Sequence, residues 1–244
     1  MEWEAPAIVL DARPFGEGDA VATVMTEAYG AHRGLARGGA SRARAAVWQP
    51  GNLVQARWVG RLADQLGSLS AELVHPAAAL AMDDALSLAM LRAVCAVAEG
   101  ALPEREAYPR AFAGLLRLLA RLPLGAPLLA DVIRWEATLL ADLGYGLDLT
   151  HTGNAPLAWV SPRTGRAVSD SVAGDWRARL FRLPPLLTGG DPGTPADWRD
   201  GLKLTGHFLA RDAFGLRHRP LPAARLALYD RVAADAAESG EPHG

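Results

Sequence analysis

Six arginines, Arg33, Arg37, Arg42, Arg44, Arg57 and Arg61, fall in a stretch of the chain that holds no Asp or Glu. The whole protein carries a formal net charge of -2, so this run is a local departure from a mildly acidic background. Guanidinium groups are permanently charged and present planar donor forks that match phosphate oxygens. A like-charge cluster repels itself and becomes favourable when a polyanion supplies the countercharge. The chemistry these residues could do is therefore phosphate binding. The competing reading is a solvated face screened by acids elsewhere, such as Glu17, Asp19, Glu27 or Asp64.

Catalytic patterns are missing by comparison. "GEGDAV" resembles the start of a dinucleotide fingerprint, but it precedes a strand pattern and lacks the third glycine. There is no phosphate-loop motif, no Gly-x-Ser-x-Gly and no His-Glu-x-x-His. The 6 histidines are scattered without metal-ligand spacing, and the single cysteine, Cys95, permits neither an intramolecular disulfide nor a cysteine-based zinc site. Asp83, Asp84, Glu136 and Asp142 lie on helical patterns and read as carboxylates of solvated faces. The sequence thus points to binding, with no enzyme activity, cofactor or metal expected.

Two halves of different period must position the arginines. Residues 1–76 hold five short alternating segments, "AIVLDAR", "AVATVMTEAYG", "HRGLARGG", "GNLVQARWVGR" and "LGSLSAELV", with glycines at the joints. That spacing predicts a small five-stranded barrel. From residue 77 the period becomes helical. One helix is expected from after His75-Pro76 to about Gly100, one over "YPRAFAGLLRLLARLP", and one over "APLLADVIRWEATLLADLGYG" with Gly144 as its C-terminal cap. Two more follow, in "PADWRDGLKLTGHFLARDAF" and "PAARLALYDRVAAD". Residues 150–194 are rich in Gly, Pro, Ser and Thr and contain a hairpin in "LAWVSPRTGRAVS"; residues 236–244 read as a frayed tail. The fold class is α+β multidomain, with a barrel over 1–76 and an all-α domain with a hairpin insertion over 77–244. The apolar window 77–98 carries Asp83, Asp84 and Arg92, which argues against a membrane span; a cytoplasmic protein is expected.

Strand alternation sorts the charges. Val54, Ala56 and Trp58 share one face of their strand and should point inward, which leaves Gln55, Arg57 and Arg61 outside. Arg33, Leu35 and Arg37 lie opposite Gly34 and Ala36. Arg42 and Arg44 stand in a loop of small residues that can approach a backbone closely. If the barrel forms, the six can converge on one side. Trp58 reads as core, whereas Trp48, before Pro50-Gly51, is the candidate for stacking on a base, with hinge packing as its alternative. His32 beside the patch reads as incidental.

The order of these pieces resembles the RecO family of bacterial recombination mediators. The matching stretches are "IVLDARPFGEGDAVATVMTEAYG", "LARGGASRARAAVWQPGN", "RWEATLLADLGYGLDLT", "WVSPRTGRAVS" and "HFLARDAFGLRHRPLPAARL", which together run almost end to end. The resemblance implies an OB-fold that binds single- and double-stranded DNA and anneals complementary strands. It also implies the partners RecR and the tail of single-strand-binding protein, with RecA loaded indirectly, at the nucleoid. It places DNA contacts on Arg33, Arg37, Arg42, Arg44, Arg57 and Arg61, and further ones in the helical domain, for which Arg211, Arg217 and Arg219 are the candidates. Some family members hold zinc with four cysteines in the insertion; here that stretch has His151 and no Cys, so no metal is expected. A protein-interaction adaptor and an RNA-binding OB protein remain the alternatives.

Overall fold

The computed structural model describes residues 1–60, 66–150 and 155–240. Arg61, Asp64 and His151 lie outside them. Five strands form where alternation places them: β1 (Glu2–Phe15), β2 (Asp19–Thr26), β3 (Gly30–Ala36), β4 (Leu53–Val59) and β5 (Gly67–His75). They close into a barrel in the order β1-β2-β3-β5-β4, with β4 returning to β1. All pairings are antiparallel except β3 with β5, a short parallel contact at Gly34–Gly67 and Leu35–Ser68.

The closing seam is fitted around one side chain. Trp58 is buried, and its indole Nε1 donates to the carbonyl of Arg33 at 3.0 Å. A Cβ at Gly60 or Gly67 would stand 2.3 Å from the Trp58 ring, so only glycine lets the backbone pass there. Trp3, Val9, Val24, Trp48, Val54, Ala56 and Leu69 complete the interior. Trp48 is therefore core, 5% exposed, and not the stacking platform its loop position suggested. Ile8, Val9 and Leu10 are buried in succession: Val9 belongs to the barrel interior, and α2 packs against β1.

Helices follow: α1 (Ala77–Leu80), α2 (Ala85–Ala101), α3 (Pro109–Arg121) and α4 (Leu129–Asp142). The single helix expected after Pro76 is broken, because Asp84 takes an extended conformation and its side chain caps α2 by accepting from Ser87 N at 2.7 Å. Asp84 is thus a cap. The α2 helix packs on β1 and buries Cys95, whose thiol is pushed up to about 12 by desolvation. The chain divides into two compact units, Met1–Gly125 and Ala126–Gly244, so the unit boundary lies well past the change of period at residues 76 and 77.

The second unit holds α4, β6 (Leu157–Val160), β7 (Ala167–Ser169), α5 (Asp170–Ala173), β8 (Phe181–Arg182), α6 (Pro195–Phe208) and α7 (Ala223–Gly240). Helix α4 ends as its sequence predicts: Gly144 has φ +88, Gly144 N donates to Ala141 O, and Tyr145 N donates to Leu140 O. The expected hairpin gains a third strand, β8, beside β6. Helix α7 continues to Gly240, so the tail read as frayed from 236 is helical as far as the described residues go. Among them no helix is long and apolar enough to cross a membrane.

Glu136 is not on a solvated face. It is fully buried on α4 and accepts from Arg225 of α7 through both oxygens, with Thr205 of α6 donating to the same carboxylate. Arg225, 1% exposed, also donates to Leu202 O. The three helices are thereby joined by one ion pair, and removing one partner strands the other charge in an apolar interior. Arg225→Met should cost about 3–5 kcal/mol, read as a lower denaturant midpoint. A shift under about 1 kcal/mol would show that the pair is dispensable.

Candidate nucleic-acid interface

Strand alternation aims Arg33 and Arg57 outward, but the five described arginines do not form a single set. Arg33, on β3, is held by Glu99 at 3.1 Å and Glu104 at 3.0 Å. Arg57, on β4, donates from Nε to Glu2 of β1 at 2.7 Å. These acids, and not Glu17, Asp19 or Glu27, provide the screening. Arg33 and Arg57 are thus exposed yet neutralised.

Arg37, Arg42 and Arg44 behave differently. All three are exposed, and none forms an ion pair with a described residue. The connection that carries them, residues 37–52, is fixed by its own hydrogen bonds. Asp19 accepts from Gly38 N at 2.7 Å, Ser41 Oγ donates to Gly38 O at 2.6 Å, and Asn52 Nδ2 donates to Ala46 O at 2.8 Å. Arg44 reaches back to the carbonyl of Arg37. Beside this loop lies a groove of about 590 Å³ whose lining mixes Arg37, Arg44 and Arg57 with Glu4 and Glu72; Glu4 is the cross-strand neighbour of Arg57. Glu4 accepts from Gln55 at 3.1 Å. The result is a preformed groove with three uncompensated guanidinium groups at or beside its rim, a geometry that can take successive phosphates of one strand.

Comparison with known proteins agrees with this architecture. The model of the family described as recombination protein O N terminal matches residues 1–77, and that for the C terminal part matches residues 82–221. The chain is 60% identical to the DNA repair protein RecO of Gluconacetobacter diazotrophicus, covering 100% of this chain and 99% of that protein. It is 62% identical to that of Granulibacter bethesdensis, with 96% of each covered, and 58% identical to that of Acidiphilium cryptum, with 95% and 96% covered. The chain belongs to the RecO family.

Within the RecO frame, the helical-domain candidates separate. Arg211 grips Asp212 through two bonds, at 2.7 and 2.8 Å, donates to the carbonyls of Pro162 and Arg163, and lies over the Phe208 ring. It clamps the β6–β7 turn to the end of α6, so its guanidinium is occupied in holding the second unit together. Arg217 and Arg219 are exposed, on either side of His218 with its left-handed φ of +54.

Sequence reasoning missed Glu2, Glu99 and Glu104 as partners, because they come from distant strands and helices. It also passed over His32. This residue is buried edge-on against Trp3 and Trp58. Desolvation and the nearby Arg105 lower its pKa from 6.5, against the carbonyls of Gly30 and Tyr29 and the charge of Glu104. A histidine held neutral by the fold takes up a proton more readily when unfolded. Its contribution is therefore neutral above about pH 6.5 and destabilising as pH falls below it. His32→Gln should lose less stability than the parent between pH 7 and pH 5, measured by denaturant unfolding at each pH. Parallel curves would assign no role to His32.

Proposed function

We propose that this chain is a DNA-binding recombination mediator. It binds single- and double-stranded DNA through the residue 37–44 loop and the groove beside it, and anneals complementary strands. With RecR, it helps RecA replace single-strand-binding protein, whose tail it also engages, in the cytoplasm at the nucleoid. The carrying observation is the trio Arg37, Arg42 and Arg44, exposed and without an ion pair among the described residues.

Electrostatics supply the mechanism. Two strands brought together repel through their phosphates, and a row of guanidinium groups lowers that repulsion while leaving base edges free to pair. Sequence need not be read by the protein, since pairing reads it. Family membership supports the DNA-repair setting; the partners and the annealing step extend beyond it.

Pairing divides the arginines by expected effect. Each phosphate neutralised on a single strand contributes about 0.7 to the log–log salt slope. Arg42→Ala with Arg44→Ala should flatten the slope by about one to one and a half units and slow annealing of complementary oligonucleotides. Arg33→Ala should move it by less than about half a unit, because Glu99 and Glu104 already compensate that charge. Fluorescence-anisotropy titrations across salt, with matched DNA and RNA strands, measure both. An unchanged slope in the double variant removes the loop from the interface. Loss of all salt-sensitive binding in the parent favours a protein adaptor, and preference for RNA favours an RNA-binding OB protein.

A further inference from the structure

Beyond the Glu2–Arg57 pair that borders the groove, the barrel opens a second cavity of about 450 Å³, lined by Glu2, Trp3, Ala28, Tyr29, His32, Trp58 and Arg105. Three of its rings, Trp3, Tyr29 and Trp58, lie close to parallel, with His32 edge-on to Trp3 and Trp58. Trp3 and Tyr29 are stacked with centroids 5.2 Å apart and planes 12° apart, and Trp3 and Trp58 are 6.4 Å and 10° apart. Tyr29 is 41% exposed, so the stack reaches solvent. Arg105 stands over Trp58 at 5.7 Å.

Two features of this cavity are costly to the fold. The Trp3 indole Nε1 is buried without a hydrogen-bond partner among the described residues, a state that buried polar atoms seldom occupy. Arg105 adopts φ +64, a left-handed conformation that a long side chain disfavours. Its backbone N–H is fixed to Ala31 O at 2.8 Å, and this conformation goes with the guanidinium lying over the indole. Strain and an orphaned donor gathered at one concave, aromatic place mark a binding site.

We propose that this cavity holds one unstacked base of a bound nucleic-acid strand, with Tyr29 extending the stack and Arg105 meeting the adjoining phosphate; this rests on the DNA-binding reading above. A flat ring suits the open face of Tyr29, the exposed end of the parallel stack. The cation answers the charge of a nucleotide. Continuity favours nucleic acid over a protein side chain. Glu2 lines the cavity while holding Arg57, which lines the groove, so the two adjoin at that pair. Trp3 and Trp58 are paired across β1 and β4, the strands that carry Glu2 and Arg57.

The test uses the full chain and a thymidine homopolymer bearing one 2-aminopurine, whose fluorescence falls on stacking. Tyr29→Ala removes the exposed ring, and Arg105→Gly removes the cation while keeping a residue that accepts φ +64. Expected is quenching by the parent, lost in both variants, with affinity reduced about fivefold or more. The salt slope should stay unchanged in Tyr29→Ala. Quenching and affinity equal to the parent in both variants overturn the base site while leaving the groove intact. No salt-sensitive binding by the parent overturns the underlying reading and this site together. Binding of N-acetyltryptophan that the oligonucleotide fails to displace assigns the cavity to a protein side chain and overturns the proposal.

Discussion

Everything in the first unit depends on where the Trp58 indole sits. It occupies the space that Cβ atoms at Gly60 and Gly67 would fill, and its N–H is spent on the Arg33 carbonyl. That bond crosses from β4 to β3, the strands on either side of β5, and so it spans the weakest seam of the barrel, a parallel contact of two register pairs. Arg33 gives its carbonyl to the indole while strand alternation leaves its side chain at the surface. The same ring is a wall of the aromatic cavity. Core, seam and surface chemistry are thus set by one residue and the glycines around it.

The surface arginines then fall into two classes by what the fold places beside them. Those on strands, Arg33 and Arg57, meet carboxylates from neighbouring elements. Exposed pairs of this kind contribute about 0–1 kcal/mol each, so their effect lies less in stability than in withholding charge from solvent. Those on the connection between β3 and β4 form no ion pair with a described residue. The field of the barrel is therefore concentrated at one loop, which explains how a chain of net charge -2 can carry a local cationic face.

Alternation made much of this visible in advance. Val54, Ala56 and Trp58 are buried and Arg57 is exposed, as a period of two requires, and the glycine cap after α4 lies where Gly144 signalled it. Trp48 was opaque because a single aromatic before Pro50-Gly51 belongs to no period. The acids that pair with Arg33 lie 66 residues away in the case of Glu99, a proximity created only by α2 packing on the barrel. Glu136 was legible yet misread. It falls four positions from both Val132 and Leu140, inside the apolar stripe of α4, and a carboxylate there implies a buried cation. The third strand, β8, is two residues long and leaves no pattern.

The buried pair between Glu136 and Arg225 also orders events in time. The barrel strands are complete once residue 75 has been made, whereas α4 carries an uncompensated carboxylate until Arg225 has left the ribosome. During synthesis the first unit can settle while the second waits for its final helix, so its helical half is the part that a nascent chain exposes longest to proteases and chaperones.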